Sequence, residues 1–239
     1  MGRVSRRQAL AGFGSVSLAA LLAACSDDDG SAGDATSART ATQESDPAPS
    51  SAGDLASRFD DAAHCTRTAE ETAGPFYFEV DRVRSDIREG RDGAPLRLGV
   101  RVRDLSNGCD PIPNAVVDVW HCDATGSYSE PGETYLRGLQ VMNRDGIAEF
   151  TTIYPGWYPG RTVHIHAKVH LDKRTVLTTQ FYFDDDFTDR VFSLEPYASD
   201  TGRDAFNDSD ALYERSLELT LSKDGDAYLG LITVDVARA

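Results

Sequence analysis

The sequence predicts an all-β fold, an antiparallel β-sandwich with long loops. Three observations carry that expectation. Apolar residues recur at period two in several short runs, turn-forming pairs separate the runs, and no helical pattern alternates with them.

The first elements address the chain rather than fold it. Ser5, Arg6 and Arg7 precede an uncharged run from Ala9 to Ala24, which ends at Leu22-Ala23-Ala24-Cys25. The run falls short of the ~20 residues that span a bilayer, and a basic start followed by a short apolar stretch reads as an export signal over residues 1–24. The paired arginines resemble a Tat signal, with Ala9 where such signals carry Phe. The final tetrad resembles a lipobox, which would make Cys25 a lipid anchor, the chain's one link to a membrane. Residues 25–61 are rich in Ser, Ala, Asp, Gly and Thr and read as a flexible tether, leaving 62–239 as the folded domain.

Within the domain, Leu96–Val102 alternates apolar residues with Arg and Gly. Asn114–Cys122 places Ala115, Val117 and Val119 on one face and Val116, Asp118 and Trp120 on the other. Further strands are expected at Ile147–Ile153, Thr162–His170, Val176–Phe183, Leu217–Leu221 and Tyr228–Val236. Asn107-Gly108, Asp145-Gly146, Pro155-Gly156, Pro159-Gly160 and Asp224-Gly225 mark turns between them. The polar stretch Asp184–Arg215 reads as a long excursion with a short helix near Asp208–Glu214. The net charge of −15 becomes more negative once Arg3, Arg6 and Arg7 leave with the signal. Such a surface repels nucleic acid and suits a small-molecule partner. Besides Cys25, the chain holds Cys65, Cys109 and Cys122. Three pairings are possible in an oxidising compartment; Cys65–Cys109 is favoured because it would pin the incoming segment to the start of the core.

The chemistry concentrates in three blocks. His164-Ile165-His166 lies in an expected strand, where residues two apart point the same way and can share one metal ion. By itself an H-x-H pair is equally a pair of surface or packed histidines. Upstream lie Tyr154-Pro155-Gly156-Trp157-Tyr158-Pro159-Gly160-Arg161 and, earlier, Trp120-His121-Cys122-Asp123-Ala124-Thr125-Gly126-Ser127-Tyr128. Taken in order with Asp145-Gly146, Phe150, Thr152 and Ile153, these blocks resemble the intradiol ring-cleavage dioxygenases, the catechol and protocatechuate dioxygenases among them.

The resemblance implies a transthyretin-like sandwich and an Fe(3+) cofactor. It assigns the metal ligands to Tyr128, Tyr158, His164 and His166. Anionic oxygen donors suit so hard an ion. It also implies that Tyr158 acts as a base, that Arg161 stabilises negative charge on the substrate ring, and that Gln180 supports the site. Thr72-Ala73-Gly74-Pro75 resembles a segment across the mouth, giving Thr72, Gly74 and Pro75, with Arg161, as substrate contacts. The implied reaction opens a catechol with O2 to a muconate-type diacid outside the cytoplasm. Catechol, hydroxyquinol, protocatechuate and larger catechols stay open as substrates. Tyr154 lacks the family position, Trp157 has no anionic donor, His121 reads as structural, and His64 and His170 are not expected to be ligands. Two other readings compete: a non-catalytic, transthyretin-like surface lipoprotein, and a copper or zinc protein using His164 and His166 alone.

Overall fold

A computed structural model describes residues 55–59, 64–171 and 176–238. The expected export signal and the Cys25 anchor lie outside the described residues. Among those described, no helix is long and apolar enough to cross a membrane.

Among the described residues nine strands form two sheets: β1 (Pro95–Asp104), β2 (Asp110–Pro111), β3 (Val116–Trp120), β4 (Arg137–Val141), β5 (Ile147–Ile153), β6 (His164–His170), β7 (Val176–Tyr182), β8 (Thr220–Asp224) and β9 (Ala227–Val236). One sheet runs β2-β1-β9-β8 with β5 also on β1; the other runs β4-β3-β6-β7. The expected sandwich is present, with one departure from an all-antiparallel arrangement. The first and last strands, β1 and β9, pair in parallel. The chain between these two strands builds the whole second sheet as well as β2, β5 and β8 of the first.

The core follows from strand alternation. Leu96, Leu98, Val100 and Val102 of β1 face Val117, Val119, Ile165, Ala167, Val169 and Phe181 of the second sheet, all buried in one cluster. The opposite face of the first sheet is also covered. Leu55 and Phe59 pack there on Ile147, Leu229 and Leu231. Packed chain therefore begins by Leu55, inside the stretch whose composition reads as tether.

Two other expectations are corrected. The helix of the long excursion, α1, is Asp185–Phe192, not Asp208–Glu214, which forms turns. Asp184 caps α1 by accepting from the Phe187 amide, with Asp185 and Asp186 in its first turn and Arg190 in its last. Leu217 ends a 3-10 turn (Arg215–Leu217), so β8 starts later than expected, at Thr220. The Cys65–Cys109 disulfide is formed and Cys122 is free and buried.

One irregular segment decides where the site lies. Residues 64–78 leave the edge of β9, where the Thr68 amide donates to the Asp235 carbonyl, and run along β7, where the Glu71 amide donates to Thr178. They then cross the outer face of the second sheet. Gly74 sits on His166 of β6, Tyr77 on Trp120 of β3, and Phe78 against Arg137 of β4. This strap converts an exposed sheet face into a covered one.

Candidate metal centre

Under the strap, alternation again does the sorting. Ile165 and Ala167 point into the core, so His164 and His166 point outward. Cross-strand pairing sets Trp120 and Gln180 on either side of His166, and Tyr182 beside His164. Loops bring in the phenols. After β3 the Asp123 carboxylate accepts the Thr125 and Ser127 amides at 2.9 and 3.1 Å, a tight turn that presents Tyr128. The loop after β5 presents Tyr158, and its Gly156 amide donates to the Asp123 carbonyl at 3.0 Å. Gly126 has φ +79°, and a Cβ there would stand 2.1 Å from the Trp157 carbonyl oxygen. Only glycine lets the two tyrosine loops touch.

The four rings converge. His164 Nε2 and His166 Nε2 are 3.2 Å apart, and Tyr158 Oη lies 3.0 Å from His164 Nε2. Ring centroids are 5.7 Å apart for Tyr128–Tyr158, 6.1 Å for Tyr128–His166 and 5.6 Å for Tyr158–His164. The Thr162 carbonyl, 2.6 Å from His164 Nδ1, accepts a hydrogen bond from that nitrogen's N–H and leaves the Nε2 lone pair turned to the cluster. The Tyr128 hydroxyl is buried with no hydrogen-bonding partner; Tyr158 lies close by, out of hydrogen-bonding geometry. A buried orphan oxygen facing paired imidazole nitrogens fits a cation between them. Among the described residues no group of three or more His, Cys, Asp or Glu could hold a metal. The donor set thus depends on the phenols and suits a hard ion such as Fe(3+).

Electrostatics agrees with the donor chemistry. Burial pushes the Tyr128 phenol well above its ordinary range, and the nearby Cys122 and Tyr158 add to that. Burial raises Tyr158 too, while contact with Tyr128 and the Arg161 charge pull it back. Burial, with Arg161 next in effect, holds His164 down to about 3. Burial, then His164 and Arg161, holds His166 well below the usual imidazole range. The imidazoles are therefore neutral, the form that ligates, and the phenols keep their protons until a cation replaces them.

Arg161 stands at the rim. Its Nε donates to Asp210 Oδ2 at 2.8 Å and its Nη2 to Gln180 Oε1 at 2.7 Å. Asp210 also accepts the Thr162 and Leu212 amides, both at 2.9 Å. Burial would raise this carboxyl, but the two amides and Arg161 outweigh it and hold it low. Gln180 donates onward to the Thr72 carbonyl at 3.1 Å. The expected site residues thus gather in one place. Thr72 spends its hydroxyl on the Gly74 amide and its carbonyl on Gln180. Gly74, at φ +65°, allows an approach in which a Cβ would sit 3.1 Å from His166 Cε1. Pro75 borders a cavity of about 580 Å³ together with Phe76, Tyr128 and Tyr158.

The residues set aside fall elsewhere. His121 faces inward with its ring nitrogens 2.7 Å from the Cys122 carbonyl and Thr152 Oγ1. Tyr154 is buried and bonded to Thr188 at 2.8 Å, and the Trp157 indole donates to Asp200. Three contributors escaped sequence reasoning. Trp120 lies flat on His166, centroids 5.0 Å apart and 3° from parallel. Phe76 stacks on Tyr128 at 4.4 Å. Asp210 holds Arg161. Trp120 and Phe76 stand in or beside the recognisable blocks, whereas nothing distinguishes Asp210 in its polar surroundings.

Comparison with known proteins points the same way. A protein-family model described as Dioxygenase (Dioxygenase_C) matches residues 73–201. Chlorocatechol 1,2-dioxygenase of Rhodococcus opacus is 31% identical over 149 residues, covering 50% of this chain and 57% of that protein. Hydroxyquinol 1,2-dioxygenase of Nocardioides simplex is 29% identical over 160 residues, covering 56% and 54%. The chain spans about half the length of these relatives. An intradiol ring-cleavage dioxygenase from Tetranychus urticae superposes with a TM-score of 0.67 at 29% identity, over 72% of this chain and 95% of that one. The dioxygenase domain of a dioxygenase–carbohydrate-binding protein fusion from Streptomyces sp. SirexAA-E gives 0.60 at 29%, over 73% and 100%.

Proposed function

Because the chain belongs to the intradiol ring-cleavage dioxygenase family, we propose that it holds ferric iron on Tyr128, Tyr158, His164 and His166. There it opens catechol-type rings with O2 to muconate-type diacids. The observation that carries this reading is the meeting of two phenols and two neutral imidazoles, one phenol oxygen buried without a partner. Ferric iron held there would supply a hard Lewis-acidic centre that favours a catecholate and lets O2 react with the ring.

The chain's own groups then have separable tasks. Burial raises Tyr128 further than Tyr158, whose shift the contact with Tyr128 and then the Arg161 charge offset. Tyr158 Oη is therefore the phenol oxygen that exchanges a proton at lower cost, and it takes the second proton of the catechol. The Arg161 guanidinium stabilises negative charge that develops on the ring. Asp210 and Gln180 fix its direction so that it need not reorganise when the charge appears. Trp120, flat on His166, sets that imidazole's plane. The strap keeps water from the outward sheet face. Export by residues 1–24 and attachment through Cys25 complete the proposal on sequence grounds.

Purified, iron-loaded protein should be coloured by phenolate-to-iron charge transfer and should consume O2 with catechol. Tyr158→Phe should shift the visible band and slow turnover by about a hundredfold or more. A colourless, iron-replete protein that consumes no O2 would return the chain to the non-catalytic sandwich reading.

A further inference from the structure

Resting on the dioxygenase reading, we propose that the cavity beside the phenols selects catechols bearing an uncharged aromatic substituent and turns away those bearing a carboxylate. The cavity measures about 580 Å³, in the ~300–1,000 Å³ range of drug-sized ligands and several times what one ring fills. Beyond Tyr128 and Tyr158 one part of its wall is Pro75 followed by three aromatics in a row, Phe76, Tyr77 and Phe78, and the rest is the turn from Gly126 to Pro131.

Two of those aromatics are fixed from behind. The Lys168 ammonium stands 3.2 Å from the Tyr77 centroid, and the Arg137 guanidinium 3.9 Å from that of Phe78. Phe76 differs. It is 43% exposed, stacked on Tyr128 at 4.4 Å and edge-on to Tyr158 at 6.4 Å. A ring left half in water beside the reacting centre gains apolar contact from a second substrate ring, one already held in place by the catechol end.

Charge sets the other half of the selectivity. Among the described residues bordering the cavity the one carboxylate is Glu130, and none is Lys, Arg or His. The neighbouring cations stand outside that lining. Arg137 is buried, its Nε and Nη2 donating to the Ser129 hydroxyl and carbonyl while Nη1 has no partner, Lys168 lies over Tyr77, and Arg161 is engaged by Asp210 and Gln180. A carboxylate on the substrate would lie next to Glu130 and find no cation to pair with, only the Ser127 and Ser129 hydroxyls.

The test compares catechol, 4-phenylcatechol and 3,4-dihydroxybenzoate on the iron-loaded full chain. kcat/KM is measured by oxygen uptake, and affinity by anaerobic calorimetry. 4-Phenylcatechol should exceed catechol by about tenfold or more in both measurements, and 3,4-dihydroxybenzoate should fall below catechol by a similar factor. Phe76→Ala, an exposed position, should cut the phenyl preference about fivefold. Glu130→Arg should raise 3,4-dihydroxybenzoate relative to catechol about tenfold. Oxygen uptake with catechol but no phenyl preference, or equal use of the carboxylated ring, overturns the selectivity and leaves the activity standing. Uptake with none of the three overturns the activity, and the calorimetric order then decides the cavity by itself.

Discussion

The two faces of the β4-β3-β6-β7 sheet are built from alternate residues of the same strands, yet they do different work. Inward, Val117, Val119, Ile165, Ala167, Val169 and Phe181 fill the core. Outward, Trp120, His164, His166, Gln180 and Tyr182 form a polar, aromatic surface that stays dry because the strap covers it. A one-residue step along β6 thus passes from stability to chemistry. The same backbone serves both, so the geometry of the centre inherits the rigidity of the core behind it.

Substitutions one position apart should separate the faces. His166→Ala removes a ligand and should abolish the visible band and at least ~10³-fold of activity, since the reaction needs the metal. Its urea unfolding in the iron-free state should move little. Ile165→Ala should do the reverse, costing about 2–5 kcal/mol of stability while the folded fraction keeps its colour. Equal loss of stability from both would break the comparison. At the rim, Arg161→Ala should cost about 10²–10³ in kcat. Asp210→Asn, which keeps the shape but loses the charge that orients Arg161, should cost about 10–100-fold with iron content and band position unchanged. Loss of iron in that variant would mean that Asp210 supports the whole centre rather than Arg161.

The last effect concerns acid. Burial holds His121, on the inward face, down to about 4 and His164, on the outward face, down to about 3, against an ordinary 6.5. In iron-free protein the unfolded chain therefore takes up protons below about 6.5 that both folded rings refuse. Stability should fall as pH drops from there toward 4 and 3, by up to ~1.4 kcal/mol per pH unit for each group. Urea midpoints at pH 7, 6 and 5 measure the slope. His166, also held low by burial, adds its own share; His164→Ala should reduce the slope and leave the His121 and His166 shares, and a flat profile would contradict the burial argument.

What could be read in advance follows the same division. The inward face was legible because apolar alternation in β1, β3, β6 and β9 is a direct imprint of burial. β4 was not, since Arg137-Gly138-Leu139-Gln140-Val141 buries an arginine, and Phe78 rather than the inter-sheet core takes its guanidinium. The helix was misplaced because its signal lies in capping chemistry, Asp184 with two acids and a late arginine, rather than in an apolar stripe. His164 and His166 were visible as a strand pair. Tyr128 and Tyr158 were identified through resemblance, because a loop tyrosine has no period to betray its direction. Asp210 left no trace at all. Its role exists only once the excursion folds back over Arg161.

The strap has a consequence for the order in which the molecule can be completed. The Thr66 and Thr68 amides donate to the Asp235 side chain and carbonyl, and the Asp235 amide returns a bond to the Thr68 hydroxyl. The segment that precedes β1 is moored to β9, the last of the described strands. During translation the ligands on β6 can be assembled while their cover still waits for β9, so a growing chain exposes an open, accessible cradle and seals it only once β9 has emerged.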